Sequence, residues 1–386
     1  MLKINEIPLD KEPRKAISEI LNPILDEPEM SEFDSAFLCG LIKKEHPKKI
    51  VEIGIAAGAT TAIIIECLEE IGTSYEMYSV DYCEKYYRNI GDFPSGFMAK
   101  RLLEQKKLTG KHQFLLGGGV HQFLDQIGDD IDFMILDTMH TLPGELLDFI
   151  VLFKHLSKNA IVCLHDISLN NRVRGFSYMN ATNVLFHSIV GEKFINYISD
   201  GSDEKVDYPN IGAFRINEDT ERNIENVFQA FIMSWHYMPN WKDIKGYGVQ
   251  IKKDYPTEIY HMWENAVMMN CRMAYPFPER FIPKGSKIVL YGAGNVGQEY
   301  YRQLKITQYA EVVAWVDADA KDISKVLNLK EGKLLQPDII ENVEFDYIVI
   351  AIMSHKTAFY VHEFLMNQFK IEKRQIVWSG KEIYEY

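Results

Sequence analysis

The sequence predicts an α/β protein built from two sheet-and-helix units, and three observations carry that reading. Short β-rich runs (KKIVEIG, EMYSVD, HQFLLG, IDFMILD and AIVCLHD) alternate with helical stretches such as ATTAIIIECLEEI and LPGELLDFIVLFKHL. Alternation at this spacing builds a parallel sheet wrapped by helices. Runs such as MILD and AIVCL are apolar throughout, as a doubly wound sheet covered on both faces requires. A glycine-rich turn follows the first strand of each of two such series, at 54–58 and at 292–297.

The chain has 386 residues, more than one core holds comfortably, so two domains are expected. Residues 13–46 read as helices interrupted near Pro23, with Ser31 placed to cap the second. After Asp166 the runs EKFINYI and NIGAFRIN read as late strands closing the first sheet. Residues 218–275 are helical and aromatic, and AYPFPERFIPKGS reads as a linker. The expected organisation is a first domain over 1–217, a helical connector and linker over 218–283, and a second, smaller α/β domain over 284–386.

Hydrophobic residues make up 47% and charged residues 25%, the composition of a globular chain. No run approaches the roughly 20 apolar residues of a membrane span, and the charged start MLKINEIPLDKEPRK lacks the apolar core of a signal peptide. A cytoplasmic location is therefore expected. Five scattered cysteines with no Cys-x-x-Cys pair point to neither a zinc site nor a disulfide framework. A net charge of −13 disfavours a nucleic-acid partner.

VEIGIAAGATT is the most informative stretch. A strand ends at Glu52, and Gly54 and Gly58 open the turn into the next helix, where the backbone can pass close to a ligand. Ala56 lies within that turn. The helix start behind it suits an anionic group, with Thr60 adding a hydroxyl. Asp81 ends the following strand, where a carboxylate can accept from ribose hydroxyls. The spacing Glu-x-Gly-x-x-x-Gly differs from the Gly-x-Gly-x-x-Gly of dinucleotide binders.

On these residues, 45–217 resemble class I S-adenosylmethionine-dependent methyltransferases, in the small-molecule O-methyltransferase branch that includes macrocin O-methyltransferase-like and cephalosporin hydroxylase-like proteins. The resemblance implies a doubly wound Rossmann-like methyltransferase sheet that binds S-adenosylmethionine. The loop Glu52–Gly58 would surround the methionine end, Asp81 would hold the ribose, and the turn around Gly118 would lie near the adenine. The acceptor would be a small molecule, such as a sugar or polysaccharide precursor.

Two strand ends carry the candidate chemistry, FMILDTMHTLPGE and IVCLHDI, which bring Asp137, His140, His165 and Asp166 toward one crevice. By the same resemblance, Asp137 lies beside the methyl donor and His140 occupies the position of the base. Transfer to oxygen needs the hydroxyl proton removed, which imidazole does well near neutral pH. Catechol-type relatives hold a metal with acidic residues at these two strand ends. Here His165 replaces the first of that pair, leaving two readings open: a divalent cation on Asp137 and Asp166, or an Asp166 that orients His165 or His140 with no metal. Leu142 to Glu145 would shape the acceptor pocket, and Tyr86, Tyr87 and Phe93 could close over it.

The second glycine loop, KIVLYGAGNVGQEYYRQL, places Gly292, Gly294 and Gly297 between a strand and a helix, with Asp317 ending the next strand. That context marks a nucleotide-binding fingerprint. The stretch resembles C-terminal Rossmann-like modules of bacterial methyltransferases and polysaccharide-biosynthesis proteins, which implies a nucleotide or nucleotide-sugar ligand. Three whole-chain readings follow: a methyltransferase, an NAD-dependent oxidoreductase using the second fingerprint, and a non-catalytic nucleotide-binding scaffold. The aromatic stretch at 224–275 could bury itself in a partner and make a homo-oligomer.

Overall fold

A computed structural model describes residues 1–21, 29–88, 92–173, 176–199, 206–327, 329–330 and 332–378. The chain divides into two compact units, Met1–Glu264 and Asn265–Tyr386.

The first unit is organised by an eight-stranded mixed sheet. Its strands are β1 (Leu2–Ile4), β2 (Lys49–Ile53), β3 (Glu76–Asp81), β4 (Lys111–Leu116), β5 (Ile131–Leu136), β6 (Leu156–His165), β7 (Glu192–Ile195) and β10 (Ile211–Arg215); a small antiparallel pair, β8 (Ile198–Ser199) and β9 (Val206–Asp207), stands apart. The order across the sheet is β1-β7-β10-β6-β5-β2-β3-β4. β2 pairs in parallel with both β3 and β5, and only β10 runs antiparallel to its neighbours. The chain therefore leaves β2 first toward one edge and later returns on its other side. That switch opens a crevice at the carboxyl ends of β2 and β5. All the expected strands of this sheet are present; the N-terminal β1, which pairs with β7, is an addition that its short polar-flanked run did not signal.

Burial explains why these runs are strands. Ile50, Val51, Phe133, Met134, Cys163 and Leu164 are all fully buried although successive side chains point to opposite faces, so both faces are covered. One cover is the helix Glu32–Glu45, whose Ser31 side chain accepts from the Asp34 amide as the expected cap. Phe37, Leu38 and Leu41 of this helix join Ile63, Ile64 and Leu68 of the helix Ala59–Ile71 in one core. The expected helical break near Pro23 lies outside the described residues.

The aromatic stretch beyond residue 218 packs within the first unit as far as residue 264. Tyr255 donates to the Ile150 carbonyl (2.7 Å) and Tyr247 to Asp148 (3.0 Å), both on the helix Gly144–Phe153. Every residue of that helix is buried, because it has sheet on one side and these aromatics on the other.

The second unit carries an all-parallel four-stranded sheet, in the order β12 (Glu311–Val316), β11 (Lys287–Tyr291), β13 (Tyr347–Ile350), β14 (Ile376–Val377). Alternation along β11 feeds two cores. Ile288 and Leu290 pack with Tyr300 and Leu304 of the helix Asn295–Thr307. Val289 and Tyr291 pack with Ala358, Val361 and Leu365 of the helix His355–Gln368. The proline-rich segment read as a linker is drawn into this unit, with Phe277 and Ile282 buried in its core. Among the described residues, no helix is long and apolar enough to cross a membrane.

Candidate functional site

The crevice at the switch point is floored by the turn after β2. Gly54 has φ +90°, and a Cβ there would sit 1.8 Å from the Asp137 carbonyl oxygen. Gly58 has φ +85°, and its Cβ would meet Gly96 Cα at 2.7 Å. Both positions require glycine, for conformation and for space. Asp81 fastens this turn: the Ile55 and Ala56 amides donate to its Oδ2 (2.9 and 3.0 Å), and the Cys83 amide donates to Oδ1 (2.8 Å). The Gly117 amide donates to the Asp81 carbonyl (3.0 Å), which draws the Gly117–Gly119 turn, with Gly118 at its centre, to the same strand end. The hydroxyl that reaches back to Glu52 belongs to Thr61 (2.7 Å), while Thr60 is a buried neighbour in the same helical turn.

Glu52 is fully buried. Its Oε2 accepts from Thr61 and from Ser79 (2.8 Å), while its Oε1 is buried with no hydrogen-bond partner. Burial pushes its carboxyl up to about 8, and the charges of Asp137 and Glu29 push the same way. The backbone amides of 54–58 are taken by Val80, Asp81, Glu29 and the turn itself, leaving the uncapped helix start behind them as the open donor surface.

Four of the residues singled out in the sequence meet at the neighbouring strand ends. His165 Nδ1 lies 3.1 Å from Asp137 Oδ1 and 3.6 Å from Asp166 Oδ2, and its Nε2 lies 3.5 Å from Asp34 Oδ2. His140 Nε2 lies 3.1 Å from Asp166 Oδ2 and 3.7 Å from Asp137 Oδ1. Asn210 also donates to Asp166. His140 and Asp166 both adopt left-handed backbone conformations, φ +58° and +61°.

Beneath His140 sits Glu145, with no exposed surface. Its Oε1 accepts from the His140 amide (2.6 Å) and stands 3.4 Å from Nδ1. The imidazole thus has a carboxylate behind it and Nε2 toward the crevice. Burial opposes a charge on this ring, but Glu145, Asp137 and Asp166 together outweigh it and push His140 up to about 9. Burial likewise opposes a charge on His165, and Asp137 and Asp166 hold it well above the usual imidazole range. The raised pKa of His140 departs from the near-neutral value expected of an unperturbed imidazole. Because the folded pKa of His140 is raised, its contribution to stability is complete below about 6.5. That contribution is lost as pH rises through about 9.

Asp137, His140 and Asp166 offer ligand atoms within 4.8 Å of one another. The two carboxylates fit a divalent cation, with His140 Nε2 beside them. His165 lies behind them, enclosed by Asp137 and Asp34. Sequence reasoning missed Asp34, Glu145, Asn210 and Glu29. The Ser31 cap flagged the turn that holds Asp34, and Glu145 stood in the stretch expected to shape the pocket. Tyr86 and Phe93 pack against Phe97 instead of spanning the crevice, and Tyr87 is exposed.

The turn at Gly292–Gly297 in the second unit repeats part of the first design. Asp317 Oδ2 accepts from the Ala293 amide (2.7 Å), a Cβ on Gly297 would lie 2.0 Å from the Gly292 carbonyl oxygen, and Gly294 faces open space.

Residues 51–167 match the family model of a methyltransferase domain, and residues 284–377 match the family model described as C2185-like, N-terminal. No relative was found among curated proteins. Among solved structures, a Klebsiella pneumoniae protein assigned as an O-methyltransferase is 13% identical, with 55% of this chain and 92% of that one covered and a TM-score of 0.38. The O-methyltransferase from Bacillus cereus in complex with SAH is 14% identical, covering 55% and 94%, at 0.34. The Streptomyces achromogenes O-methyltransferase TomG, involved in tomaymycin synthesis and bound to SAM, is 12% identical, covering 55% and 92%, at 0.35.

Proposed function

We propose that the first unit is an S-adenosylmethionine-dependent O-methyltransferase acting on a small hydroxylated acceptor, with a sugar or polysaccharide precursor as the expected class. The observation that carries this reading is the convergence of the Gly54–Gly58 turn, Asp81 and the Asp137–His140–Asp166 group at one switch point, within the segment that matches a methyltransferase domain.

The cofactor supplies an electrophilic methyl group on a sulfonium sulfur. Asp81 would accept from the ribose hydroxyls, and the turn at Gly118 would border the adenine. The acceptor oxygen bonds the methyl carbon as the carbon–sulfur bond breaks, and the hydroxyl proton passes to His140 Nε2. Glu145 holds the ring for that transfer. Because three carboxylates hold His140 protonated, the ring becomes a base only when Asp137 and Asp166 are neutralised. These two residues would hold a divalent cation, which supplies that neutralisation and acidifies a nearby hydroxyl.

Phe176, Tyr178 and His236 form an aromatic run (ring centroids 6.4 and 5.5 Å apart). Backbone bonds from Ala181 to the His140 carbonyl and from His236 to the Leu142 carbonyl tie it to the site. Tyr178 is 42% exposed, which suits stacking on a sugar or other planar ring. Labelled S-adenosylmethionine offered with a panel of free and nucleotide-linked sugars should give labelled product. Label transfer to none of them, with the cofactor bound, would remove the acceptor class.

For the second unit we propose a nucleotide or nucleotide-sugar site at Gly292, Gly294 and Gly297, with Asp317 at the ribose. Support comes from the open Gly294 at a helix start. Calorimetry on the full chain with UDP-sugars, GDP-sugars and NAD should give one binder whose affinity falls about 10-fold or more in Asp317→Ala. Binding of none of them would leave this turn a structural element.

A further inference from the structure

Gly54 and Gly58 are glycines because the backbone leaves no room for a side chain, but Gly144 is not. It opens the helix Gly144–Phe153 with φ outside the left-handed region, and a Cβ there would meet nothing nearer than 3.5 Å. Alanine fits such a position and favours a helix more, so the fold itself gives no reason for glycine. The missing side chain leaves a space bordered by the Tyr237 hydroxyl (3.5 Å), Met139 Cβ (3.7 Å) and Thr138 Oγ1 (3.8 Å). Thr138 Oγ1 is buried with no hydrogen-bond partner, and the Tyr237 hydroxyl has none among the described residues. Two hydroxyls without partners therefore border one small space.

We propose that Gly144, Thr138 and Tyr237 form a subsite for a second, neutral hydroxyl of the acceptor, which selects a polyhydroxy compound such as a sugar over a lone alcohol or phenol. This rests on the reading of Asp137, His140 and Asp166 as the methyl-transfer site. Thr138 stands between Asp137 and His140 in the chain, and Gly144 precedes Glu145, whose Oε1 lies 3.4 Å from His140 Nδ1. The reacting oxygen gives its proton to Nε2, the other ring nitrogen, so the group taken beside Gly144 is a different one. Tyr237 brings a donor and Thr138 both a donor and an acceptor, and a hydroxyl answers both. Burial, then the charges of Asp148 and Glu145, push the Tyr237 hydroxyl up, which keeps it a donor. The same charges repel an anionic group, and an apolar group would leave both hydroxyls unsatisfied. Tyr237 also follows His236, whose ring centroid lies 5.5 Å from that of Tyr178, so one stretch of chain serves both a sugar ring and its hydroxyl.

Gly144→Ala fills the space without strain, and Tyr237→Phe removes a single oxygen. Both are tested by label transfer from S-adenosylmethionine to UDP-glucose, GDP-mannose and their monodeoxy analogues, beside calorimetry with S-adenosylhomocysteine. Each variant is expected to bind S-adenosylhomocysteine as the wild type does, and Gly144→Ala to melt no lower. KM for the labelled sugar should rise about 10-fold or more in each, with kcat little changed. For the deoxy analogue that lacks the second hydroxyl, Tyr237→Phe should leave KM where it is in the wild type. An unchanged KM for the sugar in either variant overturns the proposal. So does an equal rise for the sugar and all its deoxy analogues, which would make Tyr237 a brace for its loop. Both results leave the methyl-transfer site standing. A wild type that binds S-adenosylhomocysteine but labels no sugar overturns the acceptor reading, and this proposal with it.

Discussion

His140→Ala is expected to lower methyl transfer about 10²–10⁴-fold while leaving cofactor affinity within a few-fold, the loss typical of a general base. The selectivity follows from placement. His140 stands on Glu145 and faces Asp166, whereas the turn at Gly54–Gly58 is held by Asp81 and Glu29. The wild-type pH profile should carry the same signature. Since the ring is held protonated up to about 9, turnover rises with pH as the proton leaves, and His140→Ala flattens that limb. A cation on Asp137 and Asp166 would shift the limb to lower pH, so chelation with EDTA should return it toward 9. A limb that ignores EDTA would remove the cation, and near-normal turnover in His140→Ala would leave the histidine a structural group.

Gly54→Ala should cost the first unit about 3 kcal/mol or more, since an L-residue there is strained and its Cβ has no free space. The Cβ would overlap the Asp137 carbonyl oxygen at 1.8 Å, and no rotamer relieves a clash with backbone. The strand end bearing Asp137 must then move, so cofactor binding falls together with stability. Gly72→Ala is the comparison: φ is +72° but nothing lies within 4 Å, so only backbone strain is added. Thermal unfolding should drop by roughly 6–12 °C for Gly54→Ala, from about 2–4 °C per kcal/mol. A smaller drop at Gly54 than at Gly72 would show that the turn is not built around this contact.

How much of this was legible follows from where each residue lies. Strand ends carry their own signal, because an apolar run stops at a polar residue, and so Glu52, Asp81, Asp137 and Asp166 could be read directly. The glycines announced the turn. Residues that complete the site from other elements carry no such signal. Asp34 lies in a helix buried continuously from Asp34 to Ile42, Asn210 precedes a late strand, and Glu29 follows a proline-bearing stretch. Each reaches the site only through the tertiary fold. The charge state of His140 was also hidden, since it depends on Glu145 being wholly buried beneath the ring. The aromatic stretch beyond 218 looked unpartnered because the helix it covers, Gly144–Phe153, is apolar apart from Glu145 and Asp148 and reads equally well as buried by the sheet alone.

Whether the crevice after β2 is the cofactor site is tested most directly by calorimetric titration of S-adenosylhomocysteine into the wild-type chain and Asp81→Ala. One ligand should bind per chain, weakened by about 1–3 kcal/mol when the acceptor of the loop amides and ribose is lost. Equal affinity in the two proteins, or no binding in either, would contradict the account.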